Sequence, residues 1–487
     1  MLTGPRTVLA ALALGVLVSP ALAAPNAASL GPVAAESEPK DGYVGKLALS
    51  PAHGPAGSAV TASAEGLPPN QEIELVWRSM KGAWKAGNGE YHGRDYHPVG
   101  YVIARAKTDA AGRLTQRFTA PEDFGFQHDV VLQQGTRLLT KAAYSIDMSV
   151  EISPKSGPVG TPITVDIKGI GWRQLENSWD LMYDNSFTGW VSAVTTSGSA
   201  RFTIPATGGL GTHVLRLIHG EFTFPYLNPQ QNPVPDRPRF STRFEVTPGA
   251  PVLPPAPERQ VQAKVKSLPA PGALVASPAF GPIATQISLA GSGFRPGQRY
   301  TLDWATMTGN RVAGGGFEEK NRPVAEASAD AEGKLAFTFK APDDLGGAHT
   351  LSVADGAAKK TGNFWVTASA LPLDVKSGPA GTLFRIHLKG VGWTETANIY
   401  HVTYDNNYSG YACGFNSQGD IELIMPATGE PGWHFIDLYP GIYKGEETRP
   451  NNFRIPQLTY QADHPAEDLP GFHFAIQVTG PKQASIQ

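Results

Sequence analysis

The chain has 487 residues, which is too many for one hydrophobic core and is typical of three or four domains. Its 41% hydrophobic residues, 54 Gly and 42 Pro are the composition of a turn-rich β protein. A net charge of −3 leaves no basic field for a phosphate backbone, so we expect no nucleic-acid partner.

The first 23 residues predict a cleaved export signal. Arg6 precedes an apolar stretch at residues 7–19 that is too short to span a bilayer, and residues 21–23 give the small-x-small pattern of a cleavage site. No second apolar stretch of about 18 residues follows, so we expect no membrane span. The single cysteine, Cys413, permits no internal disulfide. Together these features predict a bacterial protein that is periplasmic or secreted.

After a Pro- and Ala-rich leader at residues 24–45, predicted to be flexible, the chain is a duplication. The matching segments are SGPVGT with SGPAGT (residues 156–161 and 377–382), GIGW with GVGW (169–172 and 390–393), YDN twice (183–185 and 404–406), PATG twice (205–208 and 426–429), and APED with APDD (120–123 and 341–344). The first four pairs keep one offset of 221 positions, which excludes chance. Such repetition indicates repeated structural units.

The duplication predicts four domains in the order A-B-A-B. Their predicted boundaries are residues 46–148 (A1), 149–247 (B1), 273–369 (A2) and 370–480 (B2), with a Pro-rich linker at 248–272 and a tail at 481–487. A Pro-rich linker favours polyproline II and acts as a semi-rigid spacer. We therefore expect the two halves of the chain to be separable units.

Each domain is predicted to be a β-sandwich. Residues 163–167 alternate between apolar and polar, which buries one face of a strand. Residues 179–183 and 190–194 flank a turn-forming cluster at 184–186 and predict a hairpin. Further strands of B1 are predicted at residues 200–204, 214–218 and 240–246. The expected fold class is all-β, with four tandem immunoglobulin-like β-sandwich domains.

The motif S-P-x-x-G-P-x-G, followed by alternating apolar residues and G-x-G-(F/W), resembles bacterial Ig-like repeats of the IPT/TIG type. It stands at residues 50–57, 153–160, 277–283 and 377–381. The resemblance implies extracytoplasmic modules used for adhesion, for spacing, or for accessory binding beside enzymes. A2 departs from the motif because Ile283 replaces its final Gly, and B2 departs because of a long insertion.

Four of the twelve histidines occupy one place in the four domains, namely His128, His213, His349 and His434. Each follows a Gly closely and opens an apolar strand. In Ig-like sandwiches a Tyr near this place ties down the preceding loop, and a His that donates to a backbone carbonyl can do the same. One His per domain is not a metal site, so we interpret the four as structural.

One segment of A1 is a candidate metal site, through His92, Asp95 and His97. Two histidines and an Asp in a flexible loop suit copper or zinc. Against this, Arg94 repels a cation and the matching segment, residues 314–322, has no histidine. A solvated loop is therefore the favoured interpretation, and we expect no cofactor.

Three other features have structural interpretations. Trp172 and Trp393 are expected to pack in the core or to anchor a loop. Cys413 matches Ser192 and is expected to be a small buried residue rather than a reactive thiol. The Asp-Asn pairs of the two YDN motifs offer too few ligands for calcium, and tight turns explain them better.

The sequence contains no G-x-S-x-G, H-E-x-x-H, phosphate-loop or paired-Cys motif, so a non-catalytic binding function is the leading hypothesis. The partner would be a protein or a carbohydrate. Loops at residues 220–239 and 441–471 are long and combine aromatic with polar side chains. Loops that wrap over a neighbouring domain are the structural alternative. The candidate binding residues are Trp393, Tyr439, Tyr443, Arg449, Asn451, Asn452 and Arg454.

The alternative function is a periplasmic enzyme, or an accessory subunit of a redox or polysaccharide-acting complex. A pair of carboxylates with perturbed pKa values beneath the long loops would favour the enzyme, and an aromatic face would favour binding.

Overall fold

A computed structural model of the chain describes residues 24–33, 39, 42–87, 89–221, 224–228, 230–231, 238–262, 265, 268–310, 316–442, 456–465 and 468–480. These residues form mainly antiparallel sheets, with one short parallel strand pair in each sandwich, and the sheets pair into immunoglobulin-like sandwiches. Short 3₁₀ turns lie at Ala27–Leu30, Pro257–Arg259 and Phe415–Ser417. No helix among them is long and apolar enough to cross a membrane.

In A1 a three-stranded sheet, β2-β4-β7, lies against the sheet β1-β6-β5-β8-β9-β3. Its strands are β1 (Pro32–Val33), β2 (Lys46–Ser50), β3 (His53–Gly54), β4 (Ala59–Glu65), β5 (Glu72–Gly87), β6 (Glu90–Lys107), β7 (Leu114–Thr119), β8 (Phe126–Gln134) and β9 (Arg137–Ile146).

B1 pairs the sheet β10-β12-β15 with the sheet β11-β18-β16-β13-β14, and β17 adds to β16. Its strands are β10 (Ser149–Ser153), β11 (Ser156–Gly157), β12 (Pro162–Lys168), β13 (Trp179–Tyr183), β14 (Ser186–Val191), β15 (Ala200–Pro205), β16 (Gly211–Glu221), β17 (Phe224–Pro225) and β18 (Phe240–Val246).

A2 pairs the sheet β19-β21-β24 with the sheet β20-β26-β25-β22-β23. Its strands are β19 (Val275–Ser277), β20 (Phe280–Gly281), β21 (Gln286–Gly291), β22 (Arg299–Asn310), β23 (Gly316–Ser328), β24 (Leu335–Lys340), β25 (Gly347–Asp355) and β26 (Ala358–Val366).

B2 pairs the sheet β27-β29-β32 with the sheet β28-β34-β33-β30-β31. Its strands are β27 (Ser369–Ala370), β28 (Ser377–Pro379), β29 (Leu383–Lys389), β30 (Ile399–Tyr404), β31 (Asn407–Cys413), β32 (Ile421–Pro426), β33 (Gly432–Pro440) and β34 (Phe472–Thr479).

Each sandwich encloses one large core of alternating inward-facing residues. A fully buried aromatic ring from one central strand stands in each core: Trp77 in A1, Trp179 in B1, Trp304 in A2 and Tyr400 in B2. A large buried aromatic on this strand is typical of immunoglobulin-like sandwiches. The predicted all-β fold class with immunoglobulin-like sandwiches is therefore confirmed for the described residues, while the four-domain arrangement and its boundaries stay a prediction.

One predicted strand of B1 is displaced. The sequence suggested a strand at residues 190–194, but β14 already begins at Ser186. Asp184 and Asn185 both have positive φ, 47° and 68°, as the two central residues of a type I′ turn require. Because the turn needs only those two residues, Ser186 belongs to the strand.

Part of the predicted leader contacts A1. Residues 26–33 pack on A1, where β1 pairs with β6 and Val33 lies against Val76 and Val131. At the two equivalent places A2 has Asp303 and Ser352. This face of A2 is therefore polar, whereas the apolar face of A1 is covered by β1.

The Pro-rich linker contacts both halves instead of spanning a gap. Val252 donates its N–H to Val159 O in B1, at 2.9 Å. Further along, the Gln260 carboxamide forms two hydrogen bonds with the backbone of His473 in B2, at 2.6 and 2.7 Å. The linker is therefore fixed against B1 and B2.

Residues 456–465, which we call the strap, belong to the insertion of B2 but lie on B1. The N–H of Trp190 donates to Pro456 O at 2.7 Å, and the N–H of Leu458 donates to Trp190 O at 2.9 Å. This places the strap beside β14, the edge strand of B1, in a parallel bridge. Pairing an edge strand in this way is how one segment adds to the sheet of another unit.

The carboxylate of Asp463, in the strap, joins three domains. It accepts hydrogen bonds from Trp84 Nε1 of A1 at 2.8 Å and from the N–H of Val194 of B1 at 2.7 Å. The N–H of Thr195 adds another at 2.9 Å. Beside it, the rings of Tyr91 and Trp190 are buried. The two halves are thus in contact through the strap, as expected for a loop that wraps over a neighbouring domain, while the separability of the isolated halves stays a prediction.

We expect Asp463→Ala to destabilise the chain by about 3 kcal/mol, because the buried N–H of Val194 and the half-buried indole N–H of Trp84 lose their acceptor. Thermal unfolding of the full chain measures this. Glu258→Ala, which removes an exposed carboxylate in the linker, is the matched control and leaves the melting temperature unchanged. An unchanged melting temperature for Asp463→Ala would mean that the strap does not hold the halves together.

Candidate functional site

The histidines of the A-type domains tie down the loop that precedes their strand. In A1, His128 Nδ1 lies 3.0 Å from Arg78 O and its Nε2 lies 2.6 Å from Phe124 O. In A2, His349 makes the same pair of contacts, at 2.8 Å each. The two rings stack on Trp77 and Trp304, with centroids 4.5 and 4.4 Å apart. Both histidines are structural, as the sequence predicted.

The histidines of the B-type domains use a carboxylate from the turn. His434 Nδ1 lies 2.5 Å from Asp405 Oδ2, and its Nε2 lies 2.9 Å from Glu430 O. His213 contacts Asp184 in the same way. The YDN turns therefore position the histidines, and their carboxylates are engaged by protein groups. A Cβ at Gly429 of the PATG motif would lie 2.3 Å from the His434 ring, which explains that glycine.

The predicted metal segment lies on a strand rather than in a loop, because β6 includes His92, Asp95 and His97. Asp95 Oδ2 is 3.2 Å from His97 Nε2 and 3.5 Å from the Lys85 ammonium. His92 Nε2 instead lies 3.9 Å from Glu90 Oε2. No group of three or more His, Cys, Asp or Glu side chains in the described part of the chain is arranged to hold a metal ion.

Trp172 and Trp393 are half-buried and anchor loops between domains. Trp172 lies against Tyr96 of A1, with centroids 6.1 Å apart, and Trp393 lies against Phe317 of A2, at 5.2 Å. Cys413 is half-buried, so it is less enclosed than the sequence suggested.

Of the candidate binding residues, only Trp393 and Tyr439 lie in the described part of the chain. Tyr443, Arg449, Asn451, Asn452 and Arg454 lie outside it. Trp393 and Tyr439 line two different cavities, so the structure does not bring them together.

A cleft of about 510 Å³ opens where B1, the linker, the strap and B2 meet. Arg201 of β15 and Arg259 of the linker line it, together with Tyr439, Gln461 and the other cleft residues Phe202, Thr203, Pro255, Gln260, Val261, Pro440, Gln457, Leu458, Tyr460, Pro470, Gly471 and His473. None of these lining residues is an Asp or Glu. The walls are thus apolar and polar with cationic groups among them.

The charges in the cleft are positive. Arg259 is exposed and forms no ion pair with any described residue. Arg201 Nε lies 3.7 Å from Asp166, and His473 Nδ1 lies 2.7 Å from Asp437 Oδ1. Burial lowers the pKa of His473, but the hydrogen bond and charge of Asp437 outweigh it, so the pKa is raised. The cleft therefore favours an anionic ligand.

Sequence reasoning missed Arg201, Arg259 and His473. They lie on a strand of B1, in the linker and on a strand of B2, so only the folded chain brings them to one cleft. Arg259 carried a weak signal, since a charged residue in a Pro-rich linker has no core to serve.

No family model and no curated protein matches the chain, so the IPT/TIG assignment stays a prediction. Solved structures that it resembles include a mutant Salmonella alpha-2-macroglobulin, at 10% identity over 90% of this chain and 31% of that chain, with a TM-score of 0.19. Invasin, a bacterial integrin-binding protein, is 9% identical over 89% of this chain and 79% of that chain, with a TM-score of 0.19. An ectodomain fragment of ICAM-5 is 12% identical over 85% of this chain and 99% of that chain, with a TM-score of 0.17. At these TM-scores the likenesses carry no argument about function.

We expect His434→Gln to lower the free energy of unfolding by about 1–3 kcal/mol, because it breaks the contacts with Asp405 and Glu430. The hydrogen bond of Asp405 raises the pKa of His434 above 6.5, against the effect of burial. A histidine whose pKa is raised by folding stabilises the folded state. This contribution is fully present below the pKa of the unfolded state and is lost as the pH rises through the pKa of the folded state. The cost of the substitution is therefore larger at about pH 5.5 than at about pH 9.

Urea unfolding at the two pH values measures this cost, and the metal content of the variant stays unchanged. His53→Ala is the matched control, since His53 pairs with Asp147 on the surface, where an ion pair contributes about 0–1 kcal/mol. Loss of stoichiometric metal with unchanged stability would reverse the structural assignment of His434.

Proposed function

We propose that this protein is an exported, non-catalytic binding protein whose cleft takes an acidic carbohydrate. The observation that carries the proposal is the cleft between B1, the linker, the strap and B2, with Arg201, Arg259 and His473 and without a carboxylate among its lining residues. Its volume of about 510 Å³ is that of a small-molecule site.

The chemistry of the lining suits a sugar that bears carboxylates. Guanidinium groups such as that of Arg259 bind carboxylates through two parallel hydrogen bonds. The prolines of the cleft supply rigid apolar surface, on which the faces of sugar rings pack. Gln461 adds a carboxamide at the same wall.

A binding protein is favoured over the alternative of an enzyme or an accessory subunit. Most hydrolases that act on a glycosidic bond use two carboxyl groups about 5–10 Å apart. The residues that line this cleft include none. His473 and Asp437 form one hydrogen-bonded pair, and the lining residues include no Ser or Cys.

We expect a short oligogalacturonate to bind the full-length protein. Arg259→Ala and Arg201→Ala are each expected to weaken this binding about tenfold or more. Isothermal titration calorimetry measures the dissociation constants. Arg117→Ala, which removes an exposed Arg on β7 of A1, is the matched control and leaves binding unchanged. Binding also weakens with added salt and as the pH rises through the raised pKa of His473.

A neutral maltooligosaccharide is the control ligand, and we expect it to bind far more weakly. Equal binding of the neutral and acidic ligands, or an unchanged dissociation constant for Arg259→Ala, would contradict the proposal. Both arginines lie on the surface of the cleft, so the variants are expected to fold as the wild type does.

Export is the second part of the proposal, and it is supported by Arg6, the apolar stretch at residues 7–19 and the pattern at residues 21–23. Protein from the native envelope is expected to have the intact mass of a chain that begins at Ala24. A full-length mass in that fraction would contradict cleavage.

A further inference from the structure

A second, smaller cavity of about 230 Å³ lies between A2 and B2, away from the cleft. Gly347 and Ala348 of β25 form one side, and Trp365 of β26 and Trp393 of the GVGW motif form others. Ala348 is exposed and Trp393 is half-buried, so the cavity has its rim at these residues. Leu469 of the insertion is a buried wall.

The first half of the chain shows what fills the same place. Residues 124–128 (FGFQH) match residues 345–349 (LGGAH), so Phe126 corresponds to Gly347. Both residues open equivalent strands, Phe126 opposite Ile146 and Gly347 opposite Val366. The phenyl ring of Phe126 lies against the GIGW motif, since a Cβ at Gly171 would be 2.7 Å from Phe126 Cδ2.

In the second half that ring is missing, and one of its neighbours is smaller. A Cβ at Gly347 would have nothing within 4 Å. Glu176, whose Cβ is 2.4 Å from the same Gly171 position, corresponds to Ala397. Opposite Ala348 stands Trp365, where the first half has Ser145. The second copy has therefore exchanged a filled site for an open one with an added tryptophan wall.

One polar side chain of the linker lies at this opening. Gln262 of the linker lines the cavity and is 7% exposed. Its carboxamide forms no hydrogen bond with any residue that the structure describes. The Gln262 carboxamide has donors and an acceptor at the cavity, where a ligand that bears a hydrogen-bonding group can bond to it.

We propose that this cavity is a binding site for a single aromatic ring that carries one hydrogen-bonding substituent, such as a phenol. The occupant is indicated by the first half, where an aromatic ring of this chain fills the place. An apolar cavity of about 150 Å³ is large enough to bind benzene, so 230 Å³ has room for a substituted ring. Trp365 and Trp393 offer ring contacts, and Gln262 offers the hydrogen bond.

The proposal does not depend on the cleft, because Gly347, Trp365 and Trp393 are not among the residues that line it. The probe is 4-methylphenol, with toluene as the comparison ligand that lacks the hydroxyl group. Saturation-transfer NMR of the full-length protein measures binding, and a titration gives each dissociation constant.

We expect the wild type to bind 4-methylphenol more tightly than toluene. Gly347→Phe introduces the residue found in the first half and is expected to weaken the binding of both ligands at least tenfold. The φ of +109° at Gly347 is left-handed, yet Phe126 adopts +67° at the equivalent position, so the variant has a precedent in the same chain. Gln262→Ala is expected to weaken 4-methylphenol about fivefold and to leave toluene unchanged, as the loss of one hydrogen bond predicts.

The Gln262→Ala result does not require the Gly347→Phe variant to fold, so either variant tests the site. No binding of 4-methylphenol to the wild type would overturn the proposal. Equal binding by wild type and a folded Gly347→Phe variant would place the ligand elsewhere and overturn it too. Loss of both ligands in Gln262→Ala would show that Gln262 is structural and not a hydrogen-bonding contact.

Discussion

The arrangement of this molecule depends on one buried carboxylate. Asp463 is 1% exposed and accepts hydrogen bonds from Trp84 of A1 and from two backbone N–H groups of B1, although it belongs to B2. A buried charge is tolerated only where such donors surround it. The strap that carries Asp463 lies beside β14, and Tyr460 and Gln461 of the same strap line the cleft. The candidate binding site therefore exists because the two halves are held together.

The duplication supplied two copies of one scaffold, and the differences between the copies are where binding is proposed. Both halves keep the stacked histidines and the YDN turns, which are parts of the framework. In both halves a glycine at the A–B joint donates its N–H to a carbonyl of the next domain, Gly125 to Ile170 and Gly346 to Val391, at 3.0 Å each. Beside the second of these joints, Gly347 replaces Phe126 and opens the small cavity.

The sequence predicted what local patterns determine. Alternating apolar residues predicted the sandwiches, and the repeated place of His434 predicted a structural role. The YDN motif predicted a turn, but the start of β14 was misplaced because a type I′ turn uses only Asp184 and Asn185. These features depend on residues a few positions apart.

The contacts between the halves could not be read in the same way. The pairing of Trp190 with the strap, and the meeting of Arg201 with Arg259, join residues that are distant in the chain. The Pro-rich composition of the linker indicated a spacer. Composition alone does not show that the Gln260 side chain forms a hydrogen bond with the backbone of His473. Long loops predicted either recognition or packing, and the strap now does the packing while part of it lines the cleft.

Native-state hydrogen exchange of the strap tests the central claim most directly, namely that the two halves form one unit. The backbone amides of Trp190 and Leu458 pair B1 with the strap. If the strap is an integral part of the fold, these two amides exchange only through the same global opening as the core amides of β13. Exchange of both amides on the timescale of an exposed loop, while β13 stays protected, would contradict the account.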